Sequence, residues 1–200
     1  MRDTLLIVLK FFGFLLIVPI LIATTVSFSR QLNGQEILWR NFFTGGMVTY
    51  VVIHLFFFQP RWLYDVGQKS SANLFRFSAP LAMFMEQAFP VYTFLLLVIL
   101  KLVQVFRWGW FSQEILIFFI GFSLAMHVIH TAQTLNEGEF MAANPQYLLT
   151  MSLIFIFNIF LVSFLFYLIF PTFSFPDFAR SAANLTRLLY SLVFKQLFSV

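Results

Sequence analysis

The chain contains no cysteine and very few charged residues, and both absences restrict what it can be. Without a thiol it has no disulfide bond, no thiolate nucleophile and no thiolate metal ligand. Charged residues are only 10% of the 200 residues, whereas soluble domains carry about a quarter. Glycine-rich phosphate loops and the nucleophile motif G-x-S-x-G are also missing from the sequence. These absences argue against a soluble enzyme.

Long apolar runs take the place of the missing charges. Hydrophobic residues are 60% of the chain, and 31 residues are phenylalanine. A helix needs about 20 apolar residues to cross a hydrocarbon core of roughly 30 Å, and backbone groups in lipid must be hydrogen-bonded within their own segment. We therefore predict an all-α, polytopic membrane bundle that forms a single membrane domain. About five transmembrane helices are expected, at residues 5–28, 41–59, 80–100, 114–134 and 147–170.

Two further segments are too polar to cross lipid. Residues 60–76 mix four charges with Trp62 and Tyr64, which favours an interfacial position at the headgroups. In residues 177–198 the cations Arg180, Arg187 and Lys195 follow one stripe of an otherwise apolar helix. Such an amphipathic helix is typical of the membrane surface, where its cations meet lipid phosphates. The alternative is a helix that packs on a partner subunit.

The net charge of +4 is spread over the loops, so it predicts contact with anionic lipid headgroups and not with nucleic acid. The first apolar segment is longer than the core of a signal peptide, and we interpret it as a retained span. More Lys and Arg fall on the side that holds the first loop, the third loop and the C-terminal helix. This distribution predicts a cytoplasmic C-terminus.

Polar side chains within the predicted spans are the candidates for chemistry. They are His54, Glu86, His127, His130 and Asn158. His127 and His130 are three residues apart and share a helical face, which Thr131 and Thr134 continue. Neutral imidazoles could bind zinc, with His54 or Glu86 as a further ligand, or haem iron from two facing spans. The alternative for each is a hydrogen bond that joins two helices.

Four segments resemble a group of small bacterial membrane proteins related to site-2-protease-like zinc metallopeptidases. They are PRWLYDVG at Pro60–Gly67, AFPVYT at Ala88–Thr93, FIGFSLAMH at Phe119–His127, and Asn158 in the last span. In that group an aromatic L-Y-x-x-G leads into H-E-x-x-H, and His127 would match one of its histidines. The resemblance extends over residues 60–170 and implies a bacterial inner membrane protein.

The metal-binding segment departs from that pattern. Where H-E-x-x-H would supply two zinc ligands and a base, the chain has Gln68, Lys69, Ser70, Ser71 and Ala72, and Lys69 would place a cation at the metal position. The sequence therefore favours a non-catalytic protein that acts as a partner-binding subunit or scaffold. We expect it to bind no cofactor and to have other membrane subunits as partners.

Two other classes of function stay open. One is a zinc-dependent membrane hydrolase that uses His127, His130 and either His54 or Glu86. The other is a small transporter or channel, which the sequence disfavours because no span shows paired charges or broken half-helices.

Overall fold

A computed structural model describes residues 2–57, 59–107, 112–137 and 144–198. The described residues form helices joined by short turns, without a strand. In chain order the helices are α1 (Arg2–Asn33), α2 (Ile37–Phe56), α3 (Arg61–Leu74), α4 (Ala79–Ala88), α5 (Val91–Phe106), α6 (Gln113–Glu137), α7 (Pro145–Ile169) and α8 (Phe175–Phe198). The all-α prediction is thus confirmed.

The chain divides into two compact units, residues 1–34 with 135–200 and residues 35–134. The first unit contains α1, α7 and α8. Gly13 of α1 lies against Leu149 of α7, and further along both helices the rings of Phe28 and Phe166 are 6.1 Å apart. Both contact points advance in the same direction, so α1 and α7 run parallel. The prediction of a single membrane domain stays a prediction.

Helix α8 returns antiparallel to α1. Its Ser181 accepts a hydrogen bond of 3.0 Å from Ser27, and its Tyr190 donates one to the carbonyl oxygen of Leu16. The predicted amphipathic helix at 177–198 therefore exists, with Phe175–Phe198 as its bounds. Its predicted place at the membrane surface stays a prediction.

The second unit contains α2 to α5 and α6 up to Thr134. Two glycines let α2 and α6 approach closely. A β-carbon on Gly46 would lie 1.9 Å from the carbonyl oxygen of Phe118, and one on Gly121 would lie 2.0 Å from that of Phe43. Only residues without a side chain fit here, since real β-carbon atoms do not approach other atoms so closely. This contact fixes the depth at which residues of α2 face residues of α6.

Three described helices are long and apolar enough to cross a membrane: α1 from Leu5, α6 and α7. The count becomes four if α4 and α5 together form one broken span. Helix α2 has 20 residues but is not a candidate, because Arg40, Asn41 and His54 reduce its apolar character. The described helices thus include several candidate membrane spans, as a membrane protein requires, whereas the predicted count of about five spans is not confirmed.

The predicted span at 80–100 is broken in the structure. Helices α4 and α5 meet at an angle of 78°, and Phe89 between them is extended, with φ −91° and ψ 115°. Pro90 explains the break, because it has no amide proton and disfavours helical geometry in the residue before it. The expectation that no span contains broken half-helices, which counted against a transporter, is therefore wrong.

The first loop is shorter than predicted. Residues 29–33 continue α1, where Arg30 lies in the last turn and a cation is favourable. The helix ends at Asn33, and the amide of Gly34 bonds the carbonyl of Arg30. The interfacial segment 60–76 contains α3, whose 14 residues are too few to cross a bilayer.

Candidate functional site

The broken end of α4 is capped by side chains from α3 and α6. The last carbonyl groups of a helix have no partner within it, and at lipid depth they need one. Ser71 donates to the carbonyl of Met85 at 2.6 Å, and Thr131 donates to that of Gln87 at 3.3 Å. The imidazole of His127 donates to the carbonyl of Ala88. These three donors hold the break in place.

Tyr50, His54, His130 and Gln133 form a ring of hydrogen bonds between α2 and α6. The Tyr50 hydroxyl lies 2.8 Å from Nε2 of His130 and 3.5 Å from Nδ1 of His54. The amide nitrogen of Gln133 lies 3.2 Å from Nε2 of His54, and a further bond joins Gln133 to His130. One set of proton positions satisfies all four contacts, with both imidazoles neutral.

Tyr64 of α3 extends this polar cluster. It is buried, its hydroxyl lies 2.9 Å from Oγ1 of Thr131, and the amide of Gln68 donates to it. Its ring stacks on His130 with 5.3 Å between centroids. Burial raises the pKa of Tyr64 above its ordinary value, so the neutral phenol is retained at every physiological pH.

A small cavity lies beside the helix break. It has a volume of about 10 Å³ and is lined by Gln68, Pro90, Tyr92 and His127 among others, which gives room for about one water molecule. His127 is only 6% exposed, and among the described residues its Nε2 has no hydrogen-bond partner. Because the other ring nitrogen donates to the carbonyl of Ala88, Nε2 of His127 is a hydrogen-bond acceptor. It has no donor among the described residues.

The candidate metal ligands do not converge in the described part of the chain. His54 and His130 lie together, with ring centroids 5.5 Å apart, while His127 faces Tyr64 at 6.0 Å. Within the described ranges no three His, Asp or Glu side chains are grouped to hold a metal ion. Of the histidines on facing helices, it is His54 and His130 that are neighbours.

The segment Gln68–Ala72, compared above with H-E-x-x-H, lies on α3. Gln68 lines the same cavity as His127. Lys69 is exposed and does not line that cavity; the expectation that its ammonium group occupies the metal position stays a prediction. Ala72 is half-buried, one turn after Gln68 and on the same face of the helix.

The sequence did not single out Tyr50 or Gln133 as hydrogen-bonding partners of the histidines. A signal was present, because Tyr50 and His54 are four residues apart on α2 and must share a face. Asn158, the other polar candidate, is buried in α7 and donates to the carbonyl of Ile154 at 2.8 Å.

The three cations predicted to meet lipid phosphates, Arg180, Arg187 and Lys195, are all exposed on α8. Arg180 also forms an ion pair of 3.1 Å with Asp177, in which the two side chains are 72% and 59% exposed. Exposed pairs of this kind contribute little to stability, so Arg180 can exchange this partner for another anion.

No protein-family model matches the sequence, and no match was found among curated proteins or solved structures.

Proposed function

We propose that the protein is a non-catalytic integral membrane protein, a partner-binding subunit or scaffold that retains the framework of a zinc metallopeptidase site without its ligands. One observation carries this proposal: Gln68 and His127 line one cavity. Gln68 stands where the metallopeptidase group has its first zinc-binding histidine. Ala72, at the second position, offers no donor atom. His127 alone cannot form a catalytic zinc site, because such a site needs three protein ligands.

The other polar groups support a structural role. His54 and His130 already use their nitrogens in the ring with Tyr50 and Gln133, so metal binding would break these hydrogen bonds. The caps on α4 likewise occupy the carbonyl groups that a broken helix could offer to an ion. Both features favour a rigid scaffold over the hydrolase and the transporter.

We further propose a bacterial inner membrane location and a cytoplasmic C-terminus, which the resemblance and the distribution of Lys and Arg favour. Other membrane subunits are the proposed partners. Solubilised gently from its native membrane, the chain should migrate in native electrophoresis as a complex larger than the purified protein. Migration at the size of the purified protein in both cases would contradict a role as a subunit.

Restoring the missing ligands tests the proposed site. The double substitution Gln68→His and Ala72→His should give a protein that retains about one zinc per chain, because two imidazoles one turn apart would join His127. Zinc should be lost again when His127→Gln is added. The measurement is elemental analysis of purified protein after dialysis, with the unmodified chain expected to hold no stoichiometric zinc.

A matched control comes from the exposed side of α3. Lys69→His with Asn73→His repeats the same spacing at two exposed positions and should bind no zinc in a manner that depends on His127. Equal zinc in both double variants would overturn the proposed site. Zinc in the unmodified chain that disappears on His127→Gln would instead support the membrane hydrolase.

A further inference from the structure

An open groove lies between the end of α1 and the first half of α8. It has no part in the proposed function. Its volume is about 460 Å³. The hydrogen bond between Ser27 and Ser181 joins the two helices beside it. Arg30 follows Ser27 by three residues and Asn184 follows Ser181 by three, so each lies on the face of its helix that the bond brings to the groove.

The groove is polar at one end and apolar at the other. Arg30, Arg180, Asp177 and Asn184 line the polar end, and Leu185 and Leu188 line the rest. Because α8 is antiparallel to α1, Leu188 lies toward the level of Tyr190 and Leu16, within the apolar part of the candidate span. The lining therefore changes from charged to apolar in the direction from the end of α1 toward the middle of the membrane.

A phospholipid has the same order of chemistry, with a phosphate at the headgroup and acyl chains below it. Two guanidinium groups and one amide supply donors for phosphate oxygens, and arginine is well suited to bind them in pairs. The ion pair of Arg180 with Asp177 is exposed and weak, so a phosphate can displace the carboxylate. The leucines offer a surface for the first methylene groups of an acyl chain.

We propose that this groove binds the phosphate headgroup of a single anionic phospholipid. The site depends on Arg30, Arg180 and Asn184. It differs from a diffuse basic surface, because Arg187 and Lys195 lie on the same helix but do not line the groove. It also stands independently of the proposed scaffold function, since it lies in the other compact unit.

The test uses the full chain in a non-ionic detergent and measures binding of dioctanoyl phosphatidylglycerol by native mass spectrometry. We expect one lipid per chain at saturation. Arg30→Gln and Arg180→Gln should each weaken binding roughly tenfold, the scale of a lost charge-assisted hydrogen bond. Arg187→Gln removes the same charge from the same helix and should leave the affinity unchanged.

Two further probes identify the source of the phosphate. Glycerol phosphate, which lacks acyl chains, should not bind at concentrations that saturate the lipid; equal binding would make this a site for free phosphate and overturn the proposal. Equal weakening by Arg187→Gln and Arg180→Gln would show diffuse attraction and would also overturn it. Because Arg30 and Arg180 are exposed, unchanged melting temperatures should show that the variants fold.

Discussion

Substitution of Gly46 by alanine should destabilise the protein by on the order of 3 kcal/mol, the upper part of the range for overpacking. The new β-carbon would lie 1.9 Å from the carbonyl oxygen of Phe118, which is backbone and cannot rotate away. Helices α2 and α6 must then separate, and the hydrogen bonds that cross between them lengthen. Gly121→Ala should have a similar effect from the opposite helix, where the obstructing atom is the carbonyl oxygen of Phe43.

The neighbouring glycine is the matched control. A β-carbon on Gly45 would meet nothing within 4 Å, and alanine is favoured over glycine inside a helix by about 0.5–1 kcal/mol. Gly45→Ala should therefore be neutral or slightly stabilising. Thermal unfolding of the purified variants in one detergent compares all three. Equal melting temperatures for Gly45→Ala and Gly46→Ala would contradict the close contact of α2 with α6.

Truncation of Tyr50 should have the second large effect. This side chain is fully buried, packs edge-on against Phe122 with 4.9 Å between centroids, and bonds His130 and His54. Tyr50→Ala removes the ring and leaves a cavity, which should cost about 3–5 kcal/mol. Tyr50→Phe keeps the ring and removes only the hydroxyl. It should cost about 1–3 kcal/mol, because two imidazoles lose a partner in a buried site.

The difference between the two Tyr50 variants separates packing from hydrogen bonding. Tyr167→Phe is the control, since Tyr167 is 47% exposed on α7, and exposed changes usually stay within about 0.5 kcal/mol. Denaturant or thermal melts provide the measurement. A Tyr50→Phe variant as stable as Tyr167→Phe would mean that the ring of hydrogen bonds contributes nothing to the fold.

The helical class of the protein could be predicted from composition and run length alone. So could the shared face of His127, His130 and Thr131, because residue spacing along a helix fixes direction. The residues that contact this face could not be predicted, since they depend on the depth at which α2 and α3 meet α6. For α2 that depth is set by the approach of Gly46 to Phe118 and of Gly121 to Phe43, and nothing in the periodicity of either helix reports it.

The broken span was open to prediction but was missed. Apart from Glu86 and Gln87, residues from Pro80 to Leu100 are largely apolar, and a prediction based on hydropathy treats the whole run as one helix. Pro90 and its extended neighbour Phe89 carry the contrary signal. The caps from Ser71, Thr131 and His127 belong to α3 and α6, so only the tertiary structure shows which side chains bond the last carbonyl groups of α4.

The parallel packing of α1 and α7 restricts how many times the chain between them can cross a membrane. Two parallel helices that both cross must begin on the same side, so residue 34, after α1, and residue 145, before α7, lie on opposite sides. The chain between them must then cross an odd number of times. Helix α6, which is long and apolar enough to cross, meets this condition by itself. When α1, α6 and α7 all cross, α2 and the bent pair α4–α5 cross together or not at all.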